Sequence, residues 1–129
     1  MPTPDHAPRG IVLAAGASRR MGAPKALLRW RGAPLVAHAV RPLLAAGLVE
    51  VVVVVGAWPE VADAVPAPAR AVHASDWARG MRASLRAGLR AIGPGPVVLT
   101  HVDGPGVQAS TVGALLQALE VRPAWIIGH

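Results

Sequence analysis

Val51-Val52-Val53-Val54-Val55 is the stretch on which the fold turns. Five β-branched residues with no polar alternation form a strand covered on both faces, as in a parallel sheet with helices on either side. Reading outward toward the N-terminus, Pro34 to Ala46 is a helix, with Pro34 suited to its first turn and Gly47 to its stop. Pro42 lies inside it and predicts a kink or two shorter helices. Ala26 to Trp30 reads as extended and closes in a turn at Arg31-Gly32. Gly10 to Ala14 is a short apolar run ending in small residues.

On the C-terminal side, Trp58 to Val65 is a weak helix ended by Pro66 and Pro68, and Ala71 to His73 a short strand. Gly80 to Ile92 is a stronger helix, ended by Gly93-Pro94-Gly95-Pro96. Met81, Leu85, Leu89 and Ile92 share one face and read as core. Arg82, Arg86 and Arg90 form a stripe that reads as a solvated face. Val97 to Val102 is another buried strand. Thr111 to Leu119 is a helix with Ser110 as N-cap, and Ala124 to Ile127 a last strand. Strands alternating with helices imply an α/β domain with a mostly parallel sheet and right-handed crossovers. Ligands of such sheets sit beyond the carboxyl ends of the strands, so the loops after Ala14 and after Val102 matter most.

Composition bounds the reading. The chain has 129 residues, 53% hydrophobic and 16% charged, with no Cys, Tyr or Phe. One domain fits this length. Disulfides, zinc ribbons and cysteine nucleophiles are excluded. Residues 1–8 contain three prolines and read as a disordered tail before a single domain over 9–129. The longest strongly apolar run, Val51 to Ala57, is far short of the roughly 20 residues of a membrane span. Ile11 to Ala17 runs straight into Ser18-Arg19-Arg20 and does not read as a signal sequence. A cytoplasmic protein with no membrane partner is expected. The net charge of +6 admits an anionic partner.

The loop Leu13-Ala14-Ala15-Gly16-Ala17-Ser18-Arg19-Arg20-Met21-Gly22-Ala23-Pro24-Lys25 carries the chemistry. Small residues leaving a strand let backbone N–H groups close around an anion. Arg19, Arg20 and Lys25 add three positive charges, and Lys25 is the only lysine of the chain. A compact ammonium suits a polyphosphate. The loop is neither a Walker loop nor a G-x-G-x-x-G fingerprint. A Gly/Ala loop with solvated arginines is the plainer alternative. Asp103 follows the Val97 to Val102 strand. A lone carboxylate there suits Mg²⁺, which takes one or two carboxylates plus phosphate oxygens, or else it is a turn residue of D-G-P-G. His6, His38, His73, His101 and His129 show no metal-ligand spacing, although His101 adjoins the strand end.

Four segments together resemble one family. L-A-A-G-x-S-x-R-M-G-x-x-K spans Leu13 to Lys25, and L-L-x-x-x-G-x-P-L spans Leu27 to Leu35. D-W-x-x-G-M-x-x-S-L spans Asp76 to Leu85, and V-D-x-P-G-V spans Val102 to Val107. They resemble the MobA-like NTP transferases, which attach CMP or GMP to molybdopterin. The resemblance implies a Rossmann-like three-layer α/β/α fold of the nucleotide-diphospho-sugar transferase type. It also implies that the Ala14, Ala15 and Gly16 backbone cradles the triphosphate, with Leu13, Ser18 and Arg19 beside it. Arg20 would contact the phosphates and Lys25 would bridge them or the reacting group. Gly80 and Ser84 would border the base, and Asp103 would bind the metal.

The activity implied is a Mg²⁺-dependent nucleotidyl transfer. A small phosphorylated acceptor such as molybdopterin attacks the α-phosphate of CTP or GTP, and pyrophosphate leaves. The L-A-A-G form leans to the cytidylyl side. Some members of the V-D-x-P-G-V branch carry an oxidoreductase name, which makes a small-molecule oxidoreductase the second hypothesis. A non-catalytic nucleotide- or nucleic-acid-binding remnant using the arginine stripe is the third. The resemblance covers about Gly10 to Val121 and relatives continue further, so the sheet is expected to be incomplete at the C-terminus, with much of the acceptor half missing.

Overall fold

The computed structural model describes residues 7–17 and 22–102, together with Ala114 and Trp125–Ile126. Among these residues the main sheet has five strands: β1 (Arg9–Ala14), β4 (Val51–Val55), β5 (Arg70–His73), β6 (Val97–His101) and β7 (Trp125–Ile126). Their spatial order is β5-β4-β1-β6-β7, and every neighbouring pair is parallel. The chain builds outward from β1 in one direction through β4 and β5, then returns to the other side of β1 with β6. The order reverses between β1 and β6, which is where such sheets open a crevice at their carboxyl ends.

The valine run explains the layers. Val51 to Val55 are all at most 2% exposed. Their parity divides them between two cores. Val51, Val53 and Val55 join Val12 and the Val36, Val40 and Leu43 side chains of helix α1 (Leu35–Ala45). Val52 and Val54 join Ile11 and Leu13 in a second core, packed by Leu85 and Ala87 of helix α2 (Met81–Ala91). A strand with apolar partners above and below leaves no position for a polar residue, which is why the run is unbroken.

Several local expectations are corrected. The helix around Pro42 is one element, Leu35–Ala45. Pro42 sits near its C-terminal end, and its carbonyl still accepts the Ala46 N–H at 3.0 Å. Ala26 to Trp30 is not extended throughout. Lys25–Leu27 forms a 3₁₀ turn, and only Arg29–Trp30 (β2) is a strand, antiparallel to Ala33–Pro34 (β3). The two residues between them have positive φ, 49° at Arg31 and 82° at Gly32, the backbone of a tight two-residue hairpin. Trp58 to Val65 is a six-residue 3₁₀ segment, Pro59–Ala64, anchored by one fully buried side chain, Val61. Ala7 is buried and the Pro8 carbonyl accepts the Val49 N–H, so these two residues of the expected tail pack with the domain. The expected Thr111 to Leu119 helix lies outside the described residues apart from Ala114, which is helical.

The larger correction concerns the face of α2. Met81 and Leu89, read as core, are 61% and 48% exposed. The buried residues of the helix are Ala83, Ser84 and Gly88. A Cβ on Gly88 would stand 3.0 Å from Val54 Cγ2 and 3.1 Å from Ile11 Cγ2. The helix therefore lies too close to the sheet for large side chains on the facing side, and small residues form the seam. No helix among the described residues is long and apolar enough to cross a membrane.

Candidate functional site

At the carboxyl ends of β1 and β6 lies a cavity of about 480 Å³. Three segments meet there. The exit of β1 contributes Leu13, Ala14, Ala15 and Gly16, with Lys25 from the 3₁₀ turn that follows. The start of α2 contributes Gly80, Met81 and Ser84, with Trp77 just ahead of it. The end of β6 contributes His101 and Val102.

Hydrogen bonds fix the β1 exit on both sides. The Val102 N–H donates to the Leu13 carbonyl at 3.2 Å, so the chain leaves β6 against the loop. The Ala57 N–H donates to the Ala15 carbonyl at 3.2 Å, and the Trp58 indole N–H to the Ala17 carbonyl at 2.7 Å. Gly56 makes this closeness possible. A Cβ there would stand 2.6 Å from Trp77 Cβ and 2.9 Å from the Ala15 carbonyl oxygen. By contrast, a Cβ on Gly16 meets no described atom within 4 Å.

Gly80 caps α2 with φ +114° and ψ −175°, a backbone that side chains disfavour. It directs the helix N-terminus at the cavity, where orphan N–H groups and the helix dipole favour an anion. The first turn of α2 carries no acid that would oppose one. Ser84 is 5% exposed, lines the cavity and has no hydrogen-bond partner among the described residues for its hydroxyl. A buried hydroxyl normally has a partner, so this one is available to a polar group in the cavity. Backbone donors, one ammonium and a helix N-terminus in a largely apolar pocket can hold an anionic ligand with an aromatic or sugar portion.

Seven of the residues singled out in the sequence therefore share this cavity: Leu13, Ala14, Ala15, Gly16, Lys25, Gly80 and Ser84. Ser18, Arg19, Arg20 and Asp103 lie outside the described residues. Trp77 packs on Gly56 and also lines the cavity. Gly56 went unnoticed, although a glycine directly after a buried strand was a visible signal. Among the described residues no three His, Cys, Asp or Glu side chains gather in a metal-binding group. Arg82, Arg86 and Arg90 are exposed, as expected.

The opposite end of the sheet is fastened by charge, which sequence reading missed altogether. Arg9 is buried, and its Nε donates to Glu50 Oε1 at 3.0 Å. Arg70 Nη2 donates to Glu50 Oε2 at 2.7 Å, and the Gly93 N–H to Oε1 at 2.9 Å. The Gly93 N–H bond and the two guanidinium groups hold the Glu50 carboxyl below its usual range, against a smaller opposing effect of burial. The ionised form is thus preferred in the folded chain. Its contribution is full above the unfolded value of about 4.3 and is lost as pH falls through the lower folded value. Glu50→Gln leaves Arg9 without its counter-ion and is expected to cost about 2–3 kcal/mol at pH 7. The gap in thermal midpoint between wild type and variant should be constant from pH 7 to about 5 and narrow in more acidic buffer. A gap unchanged down to pH 3 would refute this assignment.

Comparisons with known proteins bear on the site. The family described as MobA-like NTP transferase domain matches residues 10–128. Nicotine blue oxidoreductase from Paenarthrobacter nicotinovorans is 43% identical over 111 residues, covering 83% of this chain and 54% of that protein. Molybdenum cofactor guanylyltransferase from Xanthomonas euvesicatoria pv. vesicatoria is 39% identical over 113 residues, covering 88% of this chain and 56% of that one. A solved nucleotidyl transferase from Methanothermobacter thermautotroptrophicus superposes with a TM-score of 0.77 at 27% identity, covering 86% of this chain and 57% of that one. The chain spans about half the length of these relatives.

Proposed function

The chain belongs to the family of MobA-like NTP transferase domains, and from that premise we propose that it transfers a nucleoside monophosphate from CTP or GTP to a small phosphorylated acceptor such as molybdopterin, releasing pyrophosphate. The observation that carries this reading is the cavity at the β1/β6 reversal. There the Ala14 to Gly16 backbone, Lys25, the α2 N-terminus and Ser84 line one space. In the proposed roles, the Ala14–Gly16 backbone holds the triphosphate, with Leu13, Ser18 and Arg19 alongside. Arg20 and Lys25 neutralise phosphate charge, and Gly80 and Ser84 border the base. The acceptor phosphate attacks the α-phosphorus and the α–β bridging oxygen leaves with pyrophosphate. The protein acts by positioning and by stabilising charge.

Asp103 is the proposed ligand of Mg²⁺. Val102, its neighbour, lines the cavity wall and is bonded to the β1 exit. A single carboxylate completed by phosphate oxygens and water is a donor set that suits Mg²⁺. When bound, the ion would neutralise negative charge developing on the leaving pyrophosphate.

The test measures nucleotide binding by calorimetry and NTP-dependent pyrophosphate release with Mg²⁺ and molybdopterin. Saturable CTP or GTP binding and release are expected. Asp103→Asn should lower release by about 10²–10³-fold. Release untouched by that substitution would sink the metal assignment. A second reading, a small-molecule oxidoreductase, rests on the 43% identity to a protein of that name. Stoichiometric flavin or NAD(P)H binding without NTP binding would favour it. Steeply salt-dependent DNA or RNA binding without NTP turnover would favour a non-catalytic remnant.

A further inference from the structure

Helix α2 presents two rows of side chains to the surface. Met81, Leu85 and Leu89 recur every four residues, and Arg82, Arg86 and Arg90 run beside them, about 100° around the helix. The opposite side, with Ala83, Ser84 and Gly88, is sealed against the sheet. The exposed rows are therefore fixed in place. Met81 and Leu89 are 61% and 48% exposed, and all three arginines are exposed. The helix contains no acid. None of the three guanidinium groups forms an ion pair or hydrogen bond with a described residue.

Either row alone would be ordinary surface. Their registry over nearly three turns is what asks for a partner. A nucleic-acid backbone would meet the arginines and leave Met81 and Leu89 in water. A bilayer would need a broader apolar face, because Leu85 is half-buried in this chain's own core. A helix with acidic residues opposite the arginines and apolar residues opposite Met81 and Leu89 satisfies both rows at once.

We propose that the exposed face of α2 is a docking surface for an acidic amphipathic helix of a partner protein. Met81 belongs both to this surface and to the cavity wall, so the partner sits at the cavity mouth. This inference goes beyond nucleotidyl transfer and does not depend on it.

The probe is a fluorescein-labelled synthetic helix of about 18 residues, five turns, with Leu and Glu in two adjacent rows at i, i+4 spacing. Fluorescence anisotropy with the full chain should show saturable binding. Arg82→Glu/Arg86→Glu/Arg90→Glu should weaken it by at least about tenfold. Met81→Ser/Leu89→Ser should weaken it by a similar factor of about ten, since apolar anchors dominate such interfaces. Arg41→Glu, an exposed charge on α1, should stay within about twofold. Arg86→Glu/Arg90→Glu lies away from the cavity and gives a second charge variant should the triple one unfold. Undiminished binding by Met81→Ser/Leu89→Ser would reduce the effect to bare charge attraction and overturn the proposal. So would tighter binding to a single-stranded DNA oligonucleotide or to phosphatidylglycerol vesicles than to the peptide, or no peptide binding.

Discussion

Lys25→Ala is expected to lower kcat/KM for NTP-dependent pyrophosphate release by about 10²–10³-fold, the usual cost of removing one charge-stabilising donor from an enclosed site. Lys25 begins the 3₁₀ turn, is half-buried and lines the cavity beside the Ala14–Gly16 backbone. The turn itself depends on backbone atoms. The Lys25 carbonyl accepts the Leu28 N–H at 3.0 Å, and alanine keeps that bond. The turn's own hydrogen bond therefore survives, and activity should fall far more than the thermal midpoint. Lys25→Arg tests the chemistry more finely. A planar guanidinium keeps the charge but not the compact point of attachment, so recovery should be partial. Equal activity in all three proteins would remove Lys25 from the proposed site.

Gly56→Ala should act in the reverse order, on the fold first and the cavity second. Its Cβ would collide with Trp77 Cβ at 2.6 Å, Trp77 Cγ at 2.8 Å and the Ala15 carbonyl oxygen at 2.9 Å. These atoms belong to a backbone and to a tryptophan wedged against it, so there is no flexible side-chain end to yield. Overpacking of this kind costs about 1–3 kcal/mol, a drop of roughly 5–15 °C in midpoint for a domain of this size. The same displacement pushes the Ala15 backbone and Trp77, both cavity walls, out of position. Nucleotide affinity should fall with stability. Gly16→Ala is the matched control, since its Cβ meets no described atom within 4 Å. It should leave the midpoint alone and weaken binding only. A Gly56→Ala protein that melts like wild type would show that these loops can separate freely.

The parts of this fold that could be read in advance are those written into consecutive residues. Five valines in a row disclose a strand covered on both faces. Small residues leaving β1 mark the segment that lines the cavity. The Arg31-Gly32 turn was legible because hairpin geometry is local. The seam of α2 was not. Helical spacing favoured the large side chains Met81 and Leu89, but the distance between helix and sheet is set by Val54 and Ile11, far away in the chain. The Arg9–Glu50–Arg70 cluster was hidden for the same reason, since its partners lie tens of residues apart. In the site, the motif residues on β1 and α2 converge because the parallel order brings both elements to one edge. Periodicity contains no measure of that convergence.

The bonds that fasten the β1 exit have a consequence for the sign of whatever enters the cavity. The carbonyl oxygens of Leu13, Ala15 and Ala17 all accept hydrogen bonds from neighbouring segments, namely from the Val102 and Ala57 N–H groups and the Trp58 indole. No described acceptor takes the N–H groups of Gly16 and Ala17. Those three carbonyls are thus turned toward the neighbouring segments, and two N–H groups of the same stretch are left without a described acceptor. In the proposed role, these N–H groups would favour an anion before any basic side chain is added. Charge-removing substitutions in the loop should therefore weaken that preference without reversing it.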